Sequence, residues 1–358
     1  MGGERPQADY EAPACAEPVE HTALRPKAGT GTRRADLLPT RAAETTLAKV
    51  LNRRFLGKSP LAAWLRLNER AFALLPSGAL KLRAVQAYAR CLHTLVRMCD
   101  SRTMYFGTFF MRNRPQLDLV LRLVGQRDPT APALKVLVVA CSIGAEVYSL
   151  VGTIRSRSPG INMTVTAIDV SADAMEFARR GRYPLYGCEF TGENIFERLT
   201  AEERTNLFES SGDCLSIRPW VREGITWLTG DAADPALAGQ LGTHDMVFAN
   251  NFLCHLHSAD SEQCLRNIVR FVKPGGYLFV SGVDLDARAK VVKDLRLVPV
   301  TDLLEEIHAG DPSLIKDWPF RYWGLEAFDP QRADRDQRYA SALRVPMRDP
   351  QVGDAAWA

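Results

Sequence analysis

The sequence has no apolar run of about 18 residues, so no segment of it is expected to cross a bilayer. It does not open on an apolar leader core either. Its eight cysteines include no CxxC pair and none has a metal-ligand spacing with histidine, which predicts reduced, mostly buried thiols in a cytoplasmic protein and no metal site. Charge of one sign is scarce. A net charge of +3 over 358 residues gives no ground for nucleic-acid binding or membrane insertion. No internal repeat is visible. What remains is a chain with 46% hydrophobic residues, long enough for one large domain and a smaller one, each with a core.

Residues 1–42 are rich in Pro, Ala, Gly and charge and predict a flexible tail. From 43 to 105 apolar residues recur at three- and four-residue steps (Leu61, Trp64, Leu65; Leu82, Val85; Leu92, Leu95, Val96), the pattern of a helical domain, broken near Pro60 and at Pro76-Ser77-Gly78. The texture then changes. Leu134 to Ala140 is a Val-rich apolar run of the kind found in buried parallel strands. Strand Met163–Ile168, helix Ala172–Arg180, strand Met246–Ala249, helix Glu262–Val272 and strand Tyr277–Val283 follow. Alternating strands and helices predict an α/β fold with a doubly wound, mostly parallel sheet over 106–300. An irregular stretch at about 190–228, with a helical piece at Ala201–Phe208 and strand-like pieces at Cys214–Ile217 and Ile225–Leu228, predicts a small inserted subdomain. An aromatic-rich extension over 301–340 is expected to pack on the core, leaving 341–358 as a loose tail.

Glycine is conspicuously sparse where a dinucleotide site would need it. Strand one ends in Ala140-Cys141-Ser142-Ile143-Gly144-Ala145-Glu146, with one glycine where a pyrophosphate-binding turn wants three. That turn suits a cofactor without phosphates, such as S-adenosylmethionine. The second strand ends in Asp169, an acceptor for ribose hydroxyls, and hydrogen bonds to a charged acceptor contribute about 1.5–3 kcal/mol each. Asp231, in the turn Thr229-Gly230-Asp231-Ala232, is placed to read an adenine amino group, and Glu146 to pair with the amino group of the methionine moiety.

These residues carry a resemblance. ACSIGAEVYS (140–149) resembles the A-x-S-x-G-x-E-x-Y-S turn of the chemotaxis receptor methyltransferases. TFFMRNRPQLDLV (108–120) resembles that family's T-x-F-F-R-E segment, Asp169 with ARRGRY (178–183) its second motif, and DMVFANNFLCHL (245–256) its D-x-V-F-x-R-N-x-x-x-Y-F motif. Lys273-Pro274-Gly275-Gly276-Tyr277-Leu278-Phe279 is similar to its following turn and strand. The resemblance implies a class I, Rossmann-like methyltransferase fold with a helical N-terminal domain and a small β subdomain. It implies S-adenosylmethionine as cofactor, S-adenosylhomocysteine as product, and methyl esterification of glutamates on a receptor-like helical protein. The candidate cofactor-binding residues are Thr108, Ala140, Ser142, Gly144, Glu146, Asp169, Val170, Asp231, Ala232, Asn250 and Asn251. The candidate catalytic residues are Arg112 and His255. In the resembled family a basic helix of the N-terminal domain docks on acidic receptor helices, and residues 43–100 here carry ten Lys/Arg against three acids.

Three departures fall on the acceptor side. Asn250 replaces the family's Arg, His255 its Tyr, and Gly282-Val283-Asp284 a Gly-His-Ser-Glu strand end. A carboxylate acceptor, ionised at neutral pH, needs an arginine fork such as Arg112 and no base. A histidine near pKa 6.5 would instead help a hydroxyl or an amine. The alternative acceptor is therefore a small-molecule carboxylate, hydroxyl or amine, as in secondary metabolism. A non-catalytic cofactor sensor is the third reading. Cys141 and Cys254 read as packing residues.

Overall fold

In the computed structural model the described residues are 60–347, apart from 77, 101, 103 and 129. The expected flexible tail at 1–42 and the first part of the helical domain lie outside them. Two helices, α1 (Pro60–Ala73) and α2 (Arg83–Cys99), are separated at the expected Pro/Gly break. Helix α3 (Arg114–Gly125) leads to the sheet: β1 (Leu134–Val139), α4 (Ala145–Arg157), β2 (Met163–Asp169) and α5 (Ala172–Arg180). Next come β3 (Arg182–Pro184), α6 (Ala201–Leu207), β4 (Phe208–Ser211), β5 (Cys214–Ile217) and β6 (Ile225–Thr229). Then follow β7 (His244–Asn250), α7 (Ser258–Val269), β8 (Val272–Ser281), α8 (Leu285–Asp294), β9 (Val298–Pro299), α9 (Leu304–Ala309), α10 (Pro312–Lys316), α11 (Arg335–Tyr339) and β10 (Ala342–Arg344).

Seven strands form one sheet in the order β6-β2-β1-β7-β8-β10-β9. β6, β2, β1, β7 and β8 run parallel, and β10 is antiparallel to both of its neighbours. Side chains alternate across each strand. Val136 and Val138 of β1 therefore join one core with α3, α4 and α5, while Leu137 and Val139 join a second with α7 and α8. Phe248 and Phe279, paired in register, stack at 4.5 Å, a contact contributing about 0.5–1.5 kcal/mol beyond their burial.

The inserted unit is a three-stranded sheet, β3-β5-β4. It begins earlier than expected, at β3, and Ile225–Leu228 belongs to the main sheet as β6, paired with β2. The expected loose tail at 341–358 is also corrected in part: β10 within it is a buried strand between β8 and β9. Three residues are too few for a period-two pattern to stand out. Cys91, Cys141, Cys188, Cys254 and Cys264 are free thiols, whereas Cys214 is disulfide-bonded, a departure from the all-reduced expectation.

Candidate active site

The carboxyl ends of β1, β2, β6 and β7 face one edge of the sheet. The turn after β1 is built from unusual backbone. Ala140, Ser142 and Gly144 all have positive φ (53°, 51° and 85°), and non-glycine residues held there mark strain that gathers at functional sites. At Gly144 a Cβ would also lie 2.9 Å from the Trp227 ring, so only glycine lets the turn close against β6.

This turn is tied to Asp169 at the tip of β2. The Ser142 amide donates to Asp169 Oδ2 at 2.8 Å and the Ser171 amide to Oδ1 at 3.0 Å. Asp169 is 5% exposed, and burial raises its pKa although the backbone amides of Ser171, Ser142 and Val170 oppose that rise. Ser142 Oγ donates to the carbonyl of Phe106 at 2.8 Å, which brings the segment carrying buried Thr108 over the same turn. Val170 is half-buried beside Asp169. At the tip of β6, the Gly230 amide donates to the carbonyl of Asp169 at 2.9 Å. Asp231 is exposed there, its Oδ1 accepting from the Ala233 amide at 2.8 Å, and Ala232 is buried in the second core.

On the β7 side, Asn250 and Gln116 of α3 form a reciprocal amide pair (2.9 and 3.4 Å), and Asn250 Nδ2 also donates to Glu146 Oε1. Burial raises the Glu146 pKa, against the Asn250 donation and the charge of Arg112. Asn251 has φ 61° and packs so closely on Gly282 that a Cβ on Gly282 would lie 2.5 Å from the Asn251 Cα.

Arg112 immediately precedes the N-cap of α3, where the Asn113 side chain accepts from the Gln116 amide. Its Nε donates to Asp311 Oδ2 at 2.6 Å. Arg198 holds the other oxygen of Asp311 at 3.1 Å and stacks on Phe109 at 4.3 Å. Burial pushes the Asp311 carboxyl up, but Arg112, Ser313 and Arg198 together hold it below the usual carboxylate range. Asn113 fastens the same extension through Nδ2 to the Ile307 carbonyl at 2.9 Å.

His255 lies in a short helical turn after β7, its Nδ1 2.9 Å from the Tyr322 hydroxyl. Burial, then the charges of Arg112 and Arg102, push its pKa down to about 4. Burial likewise lifts the Cys254 thiol to about 11, in keeping with a packing role.

One pocket brings together Arg112, Glu146, Asn250 and Asn251. Asp169 and the β1 turn adjoin β6 and lie outside its lining, as does His255. Sequence reasoning missed Asp311, Tyr322 and Gln116, each of which acts through a partner far away in the chain. Arg97, counted in the basic N-terminal face, instead turns inward to pair with Asp284.

A parallel sheet with one antiparallel strand near its edge, a glycine-poor turn after β1 and a buried carboxylate at the tip of β2 define a Rossmann-like methyltransferase fold whose turn is shaped for a nucleoside without phosphates. The family described as "CheR methyltransferase, SAM binding domain" matches residues 107–289, just over half of the chain, and the chain belongs to that family. Its cofactor is S-adenosylmethionine. Among similar proteins are the probable biofilm formation methyltransferase WspC of Pseudomonas aeruginosa (27% identical, covering 48% of this chain and 40% of that protein) and the chemotaxis protein methyltransferase of Vibrio parahaemolyticus (25% identical, 51% and 65%). Chemotaxis protein methyltransferase 1 of P. aeruginosa is also 25% identical, again with 51% and 65% coverage. The chain thus spans between 40% and 65% of the length of these relatives. Among the described residues no helix is long and apolar enough to cross a membrane.

Proposed function

We propose that the chain is an S-adenosylmethionine-dependent carboxyl O-methyltransferase whose acceptors are glutamate side chains of a receptor-like helical protein. The observation that carries this reading is the Arg112 guanidinium, which lies within electrostatic reach of Glu146 and His255 and already grips a carboxylate, that of Asp311.

The cofactor supplies an electrophilic methyl group on a sulfonium. Asp169 would accept from the ribose hydroxyls, Asp231 would read the adenine edge, and Glu146, steadied by Asn250 and, through it, Gln116, would hold the amino-acid end. Thr108, Ala140, Ser142, Gly144, Val170, Ala232 and Asn251 shape the walls. Arg112 would hold and align the acceptor carboxylate. Such alignment can supply about 7–11 kcal/mol of the barrier. Bound there, the cofactor would supply the methyl group that a carboxylate held by Arg112 would take up as its ester. No proton moves. A carboxylate acceptor gives His255 no proton to take, and with its Nδ1 facing the Tyr322 hydroxyl it positions the acceptor together with Tyr322.

Incubation with methyl-labelled cofactor and a receptor cytoplasmic fragment tests this. Base-labile label on the protein is expected, and its loss in Arg112→Ala. Label that resists base would sink the ester assignment. A second reading, a small-molecule carboxylate acceptor, is favoured by the extension residues Ile307, Leu314 and Leu325, which help to line the pocket. Under it, label accumulates on small molecules and none on the receptor fragment.

A further inference from the structure

Arg102 lies just beyond the end of α2, half-buried, on the path from the helical domain to the sheet. Its guanidinium goes to backbone rather than to acids, and among the described ion pairs none includes it. Nη1 donates to the carbonyls of Cys254 (3.2 Å) and Leu256, and Nη2 to the carbonyl of Arg97 at 3.2 Å. Cys254 and Leu256 flank His255 in the short helical turn after β7. Among the described hydrogen bonds Arg102 is the one partner of their two carbonyls. The turn itself closes only through two single-residue bonds, from the His255 amide to the Phe252 carbonyl (3.0 Å) and from the Leu256 amide to the Leu253 carbonyl (3.1 Å). Turns of this tight kind have poorer hydrogen-bond geometry than an α-helix and hold their shape less well alone.

The same guanidinium lies over the Tyr322 ring, 5.5 Å from its centroid, and the Tyr322 hydroxyl is 2.9 Å from His255 Nδ1. One cation therefore holds His255 from two directions, through the backbone on either side and through its aromatic partner. Its neighbours on α2 reach the same side. Arg97 pairs with Asp284, which caps α8 after β8 and accepts from Ser258 Oγ at 2.9 Å. His93 Nδ1 is 3.1 Å from the Pro319 carbonyl of the extension. The end of α2 thus grips the β7 turn, the end of β8 and the extension, the three segments around the acceptor side. Among the described hydrogen bonds none joins residues 93–102 to Asp169 or to the β1 turn.

We propose that Arg102 is a positioning residue for methyl transfer: it fixes the turn that carries His255 against Tyr322 and, through that turn, the seating of the acceptor. The kinetic part of this role rests on His255 and Tyr322 seating the acceptor, as proposed above. An arginine suits the task because its planar fork can donate to several carbonyls while its face lies on a ring, which the compact ammonium of lysine reproduces only in part.

The test uses the full chain, with hydrogen exchange read by mass spectrometry and turnover read with methyl-labelled cofactor and a receptor cytoplasmic fragment. Arg102→Ala is expected to speed exchange over residues 252–257 by about tenfold and to leave residues 140–146 unchanged. Its affinity for S-adenosylhomocysteine should stay within about twofold while turnover falls by about tenfold, the effect of a misplaced acceptor. Arg102→Lys should restore part of both the protection and the turnover. In a His255→Phe background, Arg102→Ala should lower turnover by less than about threefold, because the two residues act through one group. Unchanged exchange over 252–257 in Arg102→Ala overturns the proposal, since the turn then holds itself. So does a rise in exchange spread evenly over the chain with turnover per folded molecule unchanged, which marks a merely structural cation. Full multiplication of the Arg102 and His255 losses overturns it as well. A wild-type chain that leaves the receptor fragment unlabelled refutes the glutamate acceptor instead and takes the kinetic part of the role with it, and the exchange over 252–257 still decides whether Arg102 holds the turn.

Discussion

The two sides of the proposed reaction centre are held in different ways. On the cofactor side, Ser142, Asp169, Ser171 and Gly230 fix one another through backbone amides within short loops at adjacent strand ends. On the acceptor side, Arg112 and His255 are held by Asp311 and Tyr322, which arrive from an extension much later in the chain. The first arrangement is written into local geometry. The second depends on docking, so it is open to change without disturbing the first. Asn250 and His255, standing where the resembled family has Arg and Tyr, fall at the junction between them.

Separate variants should separate the two sides. Arg112→Ala is expected to cut turnover by on the order of 100- to 1,000-fold while leaving S-adenosylhomocysteine affinity within about threefold. A parallel loss of affinity by calorimetry would merge the two sides. Asp311→Ala leaves Arg112 and Arg198 without their buried carboxylate and should cost about 3 kcal/mol of stability in denaturant unfolding. Asp169→Ala should weaken S-adenosylhomocysteine binding by on the order of 100-fold, the loss of two hydrogen bonds to a charged acceptor, and should also lower the melting temperature, because the Ser142 and Ser171 amides lose their buried acceptor.

A pH titration sharpens the contrast. The unfolded His308 ring binds its proton near pH 6.5, but burial delays that to about 4 in the folded chain. The unfolded state therefore holds more protons between these values. The stability that this ring contributes is complete above about pH 6.5 and declines as the pH falls toward 4. Between pH 7 and 5 its share of the decline is about 2 kcal/mol, and His308→Phe should reduce the decline measured in urea melts by about that amount, leaving the shares of His93 and His255. The smallest effect is expected from His255→Phe, a loss of turnover of about fivefold at unchanged pH optimum. A shifted optimum would restore a proton-transfer role to His255.

Much of the fold was readable where elements are long and self-consistent. Helix α5 begins at Ser171, which caps it by accepting from the Ala174 amide, and ends at Gly181 with φ 61°. Both signals are local, and the expected span Ala172–Arg180 is the observed one. The run from Leu134 is apolar because β1 is covered on both faces. β3 and β10, of three residues each, carry no legible period and exist through their pairing. The closeness of the turn at 140–146 to Asp169 was legible because both follow adjacent parallel strands. Nothing near Asp311 or Tyr322 announces a partner, since what makes them relevant is the path of the extension over α3 and the β7 end. Arg102 was hidden for a further reason: an arginine just after a helix is ordinarily solvated, and only its reach to the distant carbonyls of Cys254 and Leu256 singles it out.

The place of β10 in the sheet bears on how the chain reaches its final form. β8 is made well before the segment that completes its outer edge, Ala342–Arg344, which pairs in turn with β9. Until that segment arrives, β8 offers an open row of amides and carbonyls to any other strand. Synthesis therefore passes through an interval in which the nucleoside-binding loops can already form while one flank of the sheet stays adhesive, and chaperone dependence should concentrate in that interval.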